Sequence, residues 1–567
     1  MQKQLWQLKT RPEQTQIDEL KEQINASEAL AIMLLQRGVS NFEEAKQFFN
    51  PTLEQIHDPM LMKDMDLALA RLVKAVENEE KIMVYGDYDV DGTTSVSLFY
   101  SFLSNYYGNL EYYIPDRYKE GYGVSTRGID YAHQQGVNLI ISLDCGIKAH
   151  EKIEYCNSLG MDFIVCDHHT TPKVLPPAVA ILDQKRPDCN YPYKELTGCG
   201  VGFKLLHAFV IHYAIPIEEL WAYMDFLAIS VACDIVPITG ENRVFSHFGL
   251  KILNSEPRVG FSAMIQVAAM AERKLNVTDL VFGIGPRINA AGRIAHANHA
   301  VELMLSQEPE QAHQFALGVN QKNETRRDYD SAMTEEALEM IEKEGFADRK
   351  STLLYRADWH KGVVGITASR CIEHYYRPTI ILTESNGIAT GSARSVKDFN
   401  VYDAIDACSD LLTQFGGHNF AAGMTLPIEN VAAFRDKFEE VVSNSITDDM
   451  LIPKIEVDAE IHLDSITKRF FNVIQRMAPF GPQNRQPVFI STKVQLVNPP
   501  RLLKEKHLKL RIKQGKYSFD CIGFNMPEYY AKLEAQEPFD ICYNIDENHY
   551  NGKTTLQLRI KDLRFGE

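Results

Sequence analysis

Five short apolar runs of β-rich composition, KIMVYG, LEYYIP, NLIISLD, DFIVCD and AVAILD, follow one another between residues 81 and 183. Longer stretches of helical character separate them, among them TTSVSLFYSFLSNYY and KAHEKIEYCNSLG. Strand–helix alternation of this kind predicts a parallel sheet wrapped by helices, because parallel neighbours need a crossover connection. An open sheet of that type binds ligands at the carboxyl ends of its strands. The residues that close each run are therefore the ones to read for chemistry.

Those residues are acids and imidazoles. KIMVYG runs into Asp87, Asp89 and Asp91, NLIISL into Asp144, and DFIVC into Asp167, His168 and His169. Asp234 follows a further apolar, helix-like run in ACDIVP. The D-x-D-x-D-G pattern is shared with calcium-binding EF-hand loops, but such a loop needs a bidentate Glu at its twelfth position. Here the twelfth position is Leu98, and the preceding segment reads as a buried strand rather than a helix. In extended backbone, residues i and i+2 point to one side, so Asp89 and Asp91 can face one cavity. A single acid at a strand end is ordinarily a helix cap; three clusters at three strand ends point to metal. Carboxylates with one or two imidazoles suit Mn²⁺ or Mg²⁺ better than zinc, which prefers more nitrogen and sulfur. There are enough acids to hold two ions, the arrangement used to hydrolyse phosphate esters.

The remainder of the chain divides by pattern. Residues 1–75 read as short helices, 76–305 hold the strand–helix alternation, and 306–346 read as a long connecting helix. A second α/β unit occupies 347–452. From 453 to 567 alternating strands (HLKLRIK, YSFDCIGF, FDICYNID, TTLQLRIKDL) predict a small barrel of OB type. Net charge is −17, which argues against a polyanionic partner. It is unevenly spread: residues 453–567 carry 18 Lys and Arg against 14 Asp and Glu, and 501–516 alone hold seven basic residues and one acid. In an extended strand Lys509, Arg511 and Lys513 share one face, placing them for phosphate contacts. TGSARS offers a glycine, two hydroxyls and Arg394, all suited to gripping phosphate oxygens. No apolar run approaches the ~18 residues of a membrane span, and the N-terminus lacks the apolar stretch of a signal peptide. The ten cysteines include no C-x-x-C pair. They read as the reduced, buried thiols of a cytoplasmic protein.

DYDVDG, LDCG and DHH, in that order and spacing, resemble the DHH phosphoesterase family. PDRYKEGYG (115–123), GPRINAAGR (285–293), DWHKGVVGITASR (358–370), GSARS (391–395) and GGHNFAAG (416–423) are similar to the single-stranded-DNA exonucleases of that family. The resemblance implies a DHH domain, a smaller DHH-associated α/β domain facing the metals across a cleft, and a C-terminal OB barrel. It implies Asp89, Asp91, Asp144, His168 and Asp234 as ligands of two Mn²⁺ or Mg²⁺ ions, with Asp144 bridging. Asp87 becomes a supporting or loop-fixing acceptor, and His169 a donor or orienter at the scissile phosphate. Arg117, Arg287, Asn289, Ser392, Arg394 and His418 become strand contacts. In PFGPQNRQPVF (479–489), Gln483 and Arg485 stand where relatives carry Gly and Pro.

The activity so implied is 5′→3′ hydrolysis of single-stranded DNA to mononucleotides, in recombination and repair. It comes with a monomeric state and, as partners, a single-stranded-DNA-binding protein and a repair helicase. The competing readings are a DHH enzyme acting on short oligonucleotides, cyclic dinucleotides or polyphosphate, and a catalytically silent DNA-binding scaffold. The basic barrel favours a long strand over the first, and a full set of acids argues against the second.

Overall fold

All five apolar runs form strands: Ile82–Gly86, Leu110–Tyr113, Leu139–Leu143, Asp162–Cys166 and Ala180–Leu182. The computed structural model, which describes residues 4–534, 538–550 and 552–566, pairs them in parallel throughout. Across the sheet the order is second, first, third, fourth, fifth in chain sequence. The order therefore reverses between Ile82–Gly86 and Leu139–Leu143, and at such a switch point the crossover helices diverge and leave a crevice. Ile82, Val84, Leu139 and Ile141 pack into one core with the helices on their side, whereas Met83, Tyr85, Ile140 and Val165 pack into the core on the opposite side. Both faces are covered, which accounts for the near-continuous apolar composition of the runs.

This sheet belongs to a unit comprising residues 46–325 and 477–485. Within it, helix Gly198–His212 is anchored by a fully buried ion pair: Lys204 Nζ lies 2.5 Å from Glu241 Oε1. Glu241 also accepts from Tyr191 Oη (2.7 Å) and the His57 amide (3.0 Å), and Lys204 donates to the His57 carbonyl at 2.8 Å. Arg243 binds the 477–485 segment into the same unit by donating to the carbonyls of Met477 and Ala478. In that segment Gln483 has φ of 59°. This is the left-handed conformation for which glycine is the easy residue, and here a glutamine adopts it.

The second unit comprises residues 1–45, 326–476 and 486–567, and helix Pro309–Lys343 carries the chain from one unit into the other. Its α/β part has a five-stranded sheet in the order Gln414–His418, Ala421–Leu426, Ile388–Arg394, Thr379–Ser385, Thr352–Tyr355. The last pair is parallel and the rest antiparallel. Downstream, Phe489–Leu496 pairs with both Phe539–Tyr550 and His507–Gln514, so that with Tyr517–Gly523 and Lys553–Phe565 the strands close on themselves. A closed five-stranded barrel is the OB architecture. Trp359 is core, its Nε1 donating to Glu336 at 2.7 Å.

The N-terminal stretch departs from its helical reading. Leu5–Leu8 is a strand that pairs in parallel with Lys454–Val457. The cause is tertiary: Trp6 packs with Val457, Val488, Ile490 and Cys542, and its Nε1 donates to Asp562 at 2.7 Å. Four residues are too few to show a period of their own.

Because one partner of a fully buried pair cannot be left charged and alone, Lys204→Met is expected to destabilise the chain by about 3–5 kcal/mol. Adding Glu241→Leu should recover most of that loss. Urea denaturation of the single and double variants checks both.

Candidate metal centre

The crevice at the strand-order reversal is where the acids collect. Ile82–Gly86 delivers Asp87 and Asp89, and helix Val90–Leu103 begins at once, with Asp89 as its N-cap accepting the Gly92 amide at 3.0 Å. The chain turns this sharply because residue 92 has no side chain: a Cβ there would lie 2.4 Å from the Asp87 carbonyl oxygen. Asp91, in the first helical turn, is pinned by three donors, the amides of Gly198 (2.6 Å) and Cys199 (3.1 Å) and Ser230 Oγ (2.6 Å). Asp144 sits immediately after its strand with φ of 60°, a conformation that costs a non-glycine residue energy. Gly198 makes room for it, since a Cβ on that residue would stand 2.4 Å from Asp144 Cβ.

His168 is the hub. Its Nε2 lies 3.1 Å from Asp144 Oδ1 and 3.7 Å from both Asp91 Oδ2 and Asp234 Oδ2, and the side chain is buried. Asp234 caps helix Met224–Cys233, whose Ser230 is the one that holds Asp91. Ligand atoms of Asp91, His168 and Asp234 all fall within 4.8 Å of one another, as do those of Asp144, His168 and His169. His169 is fixed from behind: its Nδ1 is 2.7 Å from Asp167 Oδ1. Asp167 in turn accepts the amides of Ile147 (2.9 Å) and His168 (2.7 Å).

The electrostatics state the problem this cluster poses. Burial, followed by the charges of neighbouring carboxylates, pushes Asp87, Asp144 and Asp234 well above the ordinary carboxylate range and raises Asp89 as well. Burial lowers His168 to about 4, against the pull of Asp91, so its imidazole is neutral and free to offer a lone pair. For His169 burial works the same way, but the hydrogen bond and charge of Asp167 outweigh it and raise the imidazole to about 9. Asp167 lies below its usual range, burial being overcome by the two histidines. Asp87 Oδ2 is buried with no hydrogen-bond partner, although Oδ1 accepts the Gly123 amide at 3.4 Å. Four carboxylates held in one buried pocket with a neutral imidazole at the centre are what a hard divalent cation requires: oxygen-rich, with one nitrogen and a charge deficit to fill. The residue set fits such ions.

The other expected residues fall into separate places. Arg117 covers the Tyr88 ring at 4.9 Å. Arg287 and Asn289 are on helix Gly285–Ile294, with Arg287 donating to Asn320 Oδ1 (2.9 Å) and the Gly283 carbonyl (2.5 Å). In the second unit, Ser392 and Arg394 share a strand, Arg394 donating to Ser392 Oγ at 2.6 Å. His418 is at the end of Gln414–His418, in the same sheet. Lys509, Arg511 and Lys513 alternate with buried Leu508, Leu510 and Ile512 and are exposed. His296 and His299 join no acidic cluster: His296 accepts the Asn298 amide and His299 pairs with Glu302. Sequence reasoning did not assign Asp167, Ser230 or Tyr122. Asp167 was visible inside the DHH triplet and Tyr122 inside PDRYKEGYG; nothing local signalled Ser230.

Three family descriptions match along the chain: the DHH family, N-terminal domain over 81–231, the DHHA1 domain over 349–444 and the RecJ OB domain over 457–562. The single-stranded-DNA-specific exonuclease RecJ of Bacillus subtilis is 36% identical, covering 99% of this chain and 71% of the relative. The chain belongs to the RecJ family. RecJ of Escherichia coli is 31% identical over 88% of this chain and 90% of its own length. Among solved structures, RecJ in complex with Mn²⁺ from Thermus thermophilus superposes with a TM-score of 0.86 at 25% identity, covering 99% of this chain and 80% of that one. The RecJ OB match falls on the closed barrel, and the DHH match spans the parallel sheet together with Asp87, Asp91, Asp144 and His168.

A carboxylate whose folded pKa is raised binds more protons folded than unfolded, so its contribution to stability is full at low pH and is lost as pH rises through the folded value. Asp87, Asp89, Asp144 and Asp234 all have that sign. The cation-free chain should therefore lose stability as pH rises above the ordinary carboxylate range, and Mn²⁺ should raise its melting temperature more at about pH 8 than at about pH 5. Thermal melts with and without Mn²⁺ at both pH values test this; an equal gain at each would contradict it.

Proposed function

We propose that this chain is a single-stranded-DNA-specific exonuclease that works from the 5′ end, releases mononucleotides and uses two Mn²⁺ or Mg²⁺ ions. The observation that carries the reading is His168 Nε2 ringed by Asp144, Asp91 and Asp234 at 3.1–3.7 Å in a buried crevice, in a chain of the RecJ family. Asp89, Asp91, Asp144, His168 and Asp234 would hold the ions, with Asp144 shared between them. When bound, such a pair lowers the pKa of a coordinated water and offsets the charge that builds on the phosphoryl oxygens.

The chain's own groups do the rest. His169, at about 9, is protonated at neutral pH and can donate from Nε2 to a phosphate oxygen while Asp167 holds Nδ1. Asp87, buried and fixing Gly123, supports the loop from below. Arg117, Arg287, Asn289, Ser392, Arg394 and His418 grip the strand's phosphates and sugars, the guanidiniums by charge-assisted bonds. The exposed Lys509, Arg511 and Lys513 row tracks a longer strand across the barrel. The same reading has the enzyme acting as a cytoplasmic monomer alongside a single-stranded-DNA-binding protein and a repair helicase.

The deciding assay offers 5′-labelled single-stranded DNA, the matching RNA and a dinucleotide in the presence of Mn²⁺ or Mg²⁺. Labelled mononucleotide from DNA, with the other two poor, is the expected result; preferred hydrolysis of the dinucleotide would favour a short-substrate enzyme. Asp144→Ala should abolish cleavage while keeping the fold and most strand affinity, and activity within about tenfold of the parent would refute the shared-ligand role. Replacing Lys509, Arg511 and Lys513 together by Ala should flatten the log–log salt dependence of long-strand binding by about 0.7 for each phosphate that the barrel no longer neutralises. Hydrolysis of a very short oligonucleotide should be nearly unchanged in that variant.

A further inference from the structure

The outward nitrogen of His169 has a partner that the metal centre does not need. Tyr122 Oη stands 3.2 Å from His169 Nε2, and the two rings meet edge-on with centroids 6.0 Å apart. Tyr122 is 54% exposed, so it is not there to fill a core. Its position is nevertheless well determined. Tyr85 Oη donates to the next residue's carbonyl, Gly123, at 3.1 Å. On the other side Glu120 accepts from Tyr113 Oη (3.0 Å), Ser125 Oγ (2.6 Å) and the Asp116 amide (2.8 Å), closing the loop on itself. The Tyr122 ring also packs edge-on against Tyr88, the residue between Asp87 and Asp89, at 5.9 Å.

A single hydrogen bond at Nδ1 fixes one corner of an imidazole and leaves the ring free to pivot about it. A second contact at Nε2, on the opposite side, removes that freedom. With Asp167 at one nitrogen and Tyr122 at the other, the ring is held at two points over the carboxylate crevice. We propose that Tyr122 is a positioning residue whose hydroxyl sets the orientation of His169 for the scissile phosphate. The inference rests on the reading of His169 as a phosphate donor: with both ring nitrogens protonated, Tyr122 Oη accepts from Nε2–H, and that one hydrogen is shared with the phosphate oxygen in a three-centre bond. Precise aim matters for such a group, since small misplacements of a reacting pair cost large factors in rate.

The test is a double-mutant cycle on the full chain with Mn²⁺ and 5′-labelled single-stranded DNA: parent, Tyr122→Phe, His169→Ala and the double variant. Phe keeps the ring and its packing on Tyr88, so the fold and melting temperature should be unchanged. Tyr122→Phe is expected to lower kcat about tenfold with KM within about twofold. In the His169→Ala background the same substitution should cost nothing, because there is no ring left to orient. A Phe variant as active as the parent, or one losing the same factor in both backgrounds, overturns the role while leaving His169 as donor. A fully active His169→Ala overturns both the role and the donor reading.

Discussion

Too much negative charge in too small a volume is the constraint around which the first unit is organised. Asp87, Asp91 and Asp144 are each at most 2% exposed, and Asp89 and Asp234 adjoin them. Such a group is tolerable only when each carboxylate is hydrogen-bonded and the sum is neutralised. For Asp89 and Asp91 the structure supplies the first requirement locally, with amides at two helix N-termini and Ser230. The second is left to the ions, which is why the carboxyls sit above their normal range without them. The parallel sheet makes the concentration possible, because it delivers the ends of adjacent strands to one edge, and the reversal of strand order opens that edge.

The three residues of Asp167-His168-His169 divide the work through small differences in environment. Consecutive in sequence, they end up anchored, buried and half-exposed respectively. Burial lowers His168 and keeps its imidazole neutral, whereas the contact with Asp167 raises His169 against its own burial. In the reading proposed above, one triplet would provide a metal ligand, a proton donor and the carboxylate that tells them apart, a separation of roles by environment familiar in acid–base sites.

The acidity of the chain as a whole and its reading as a nucleic-acid enzyme are compatible because charge acts locally. The screening length at physiological salt is roughly 8 Å, so a row of exposed cations on His507–Gln514 is felt by a strand lying on it, while acids elsewhere are not. The barrel's alternation serves this directly: its inward residues build the core and its outward residues are left free to carry charge.

What the sequence by itself determined is whatever depends on a local period or a contiguous motif. The five strands of the parallel sheet, the acids that close them and the barrel strands were all legible, since alternation and apolar runs are properties of neighbouring residues. So were the acids that the structure gathers around His168, through DYDVDG, LDCG and DHH. Only the tertiary structure decided the rest. Leu5–Leu8 is a strand because of partners more than 440 positions away. Asp91 is held by Ser230, 139 residues distant in the chain, and Tyr122 meets His169 across 47. Hydrogen bonds of this kind depend on distances of a few tenths of an ångström between segments that folding alone brings together, and no period along the chain encodes them.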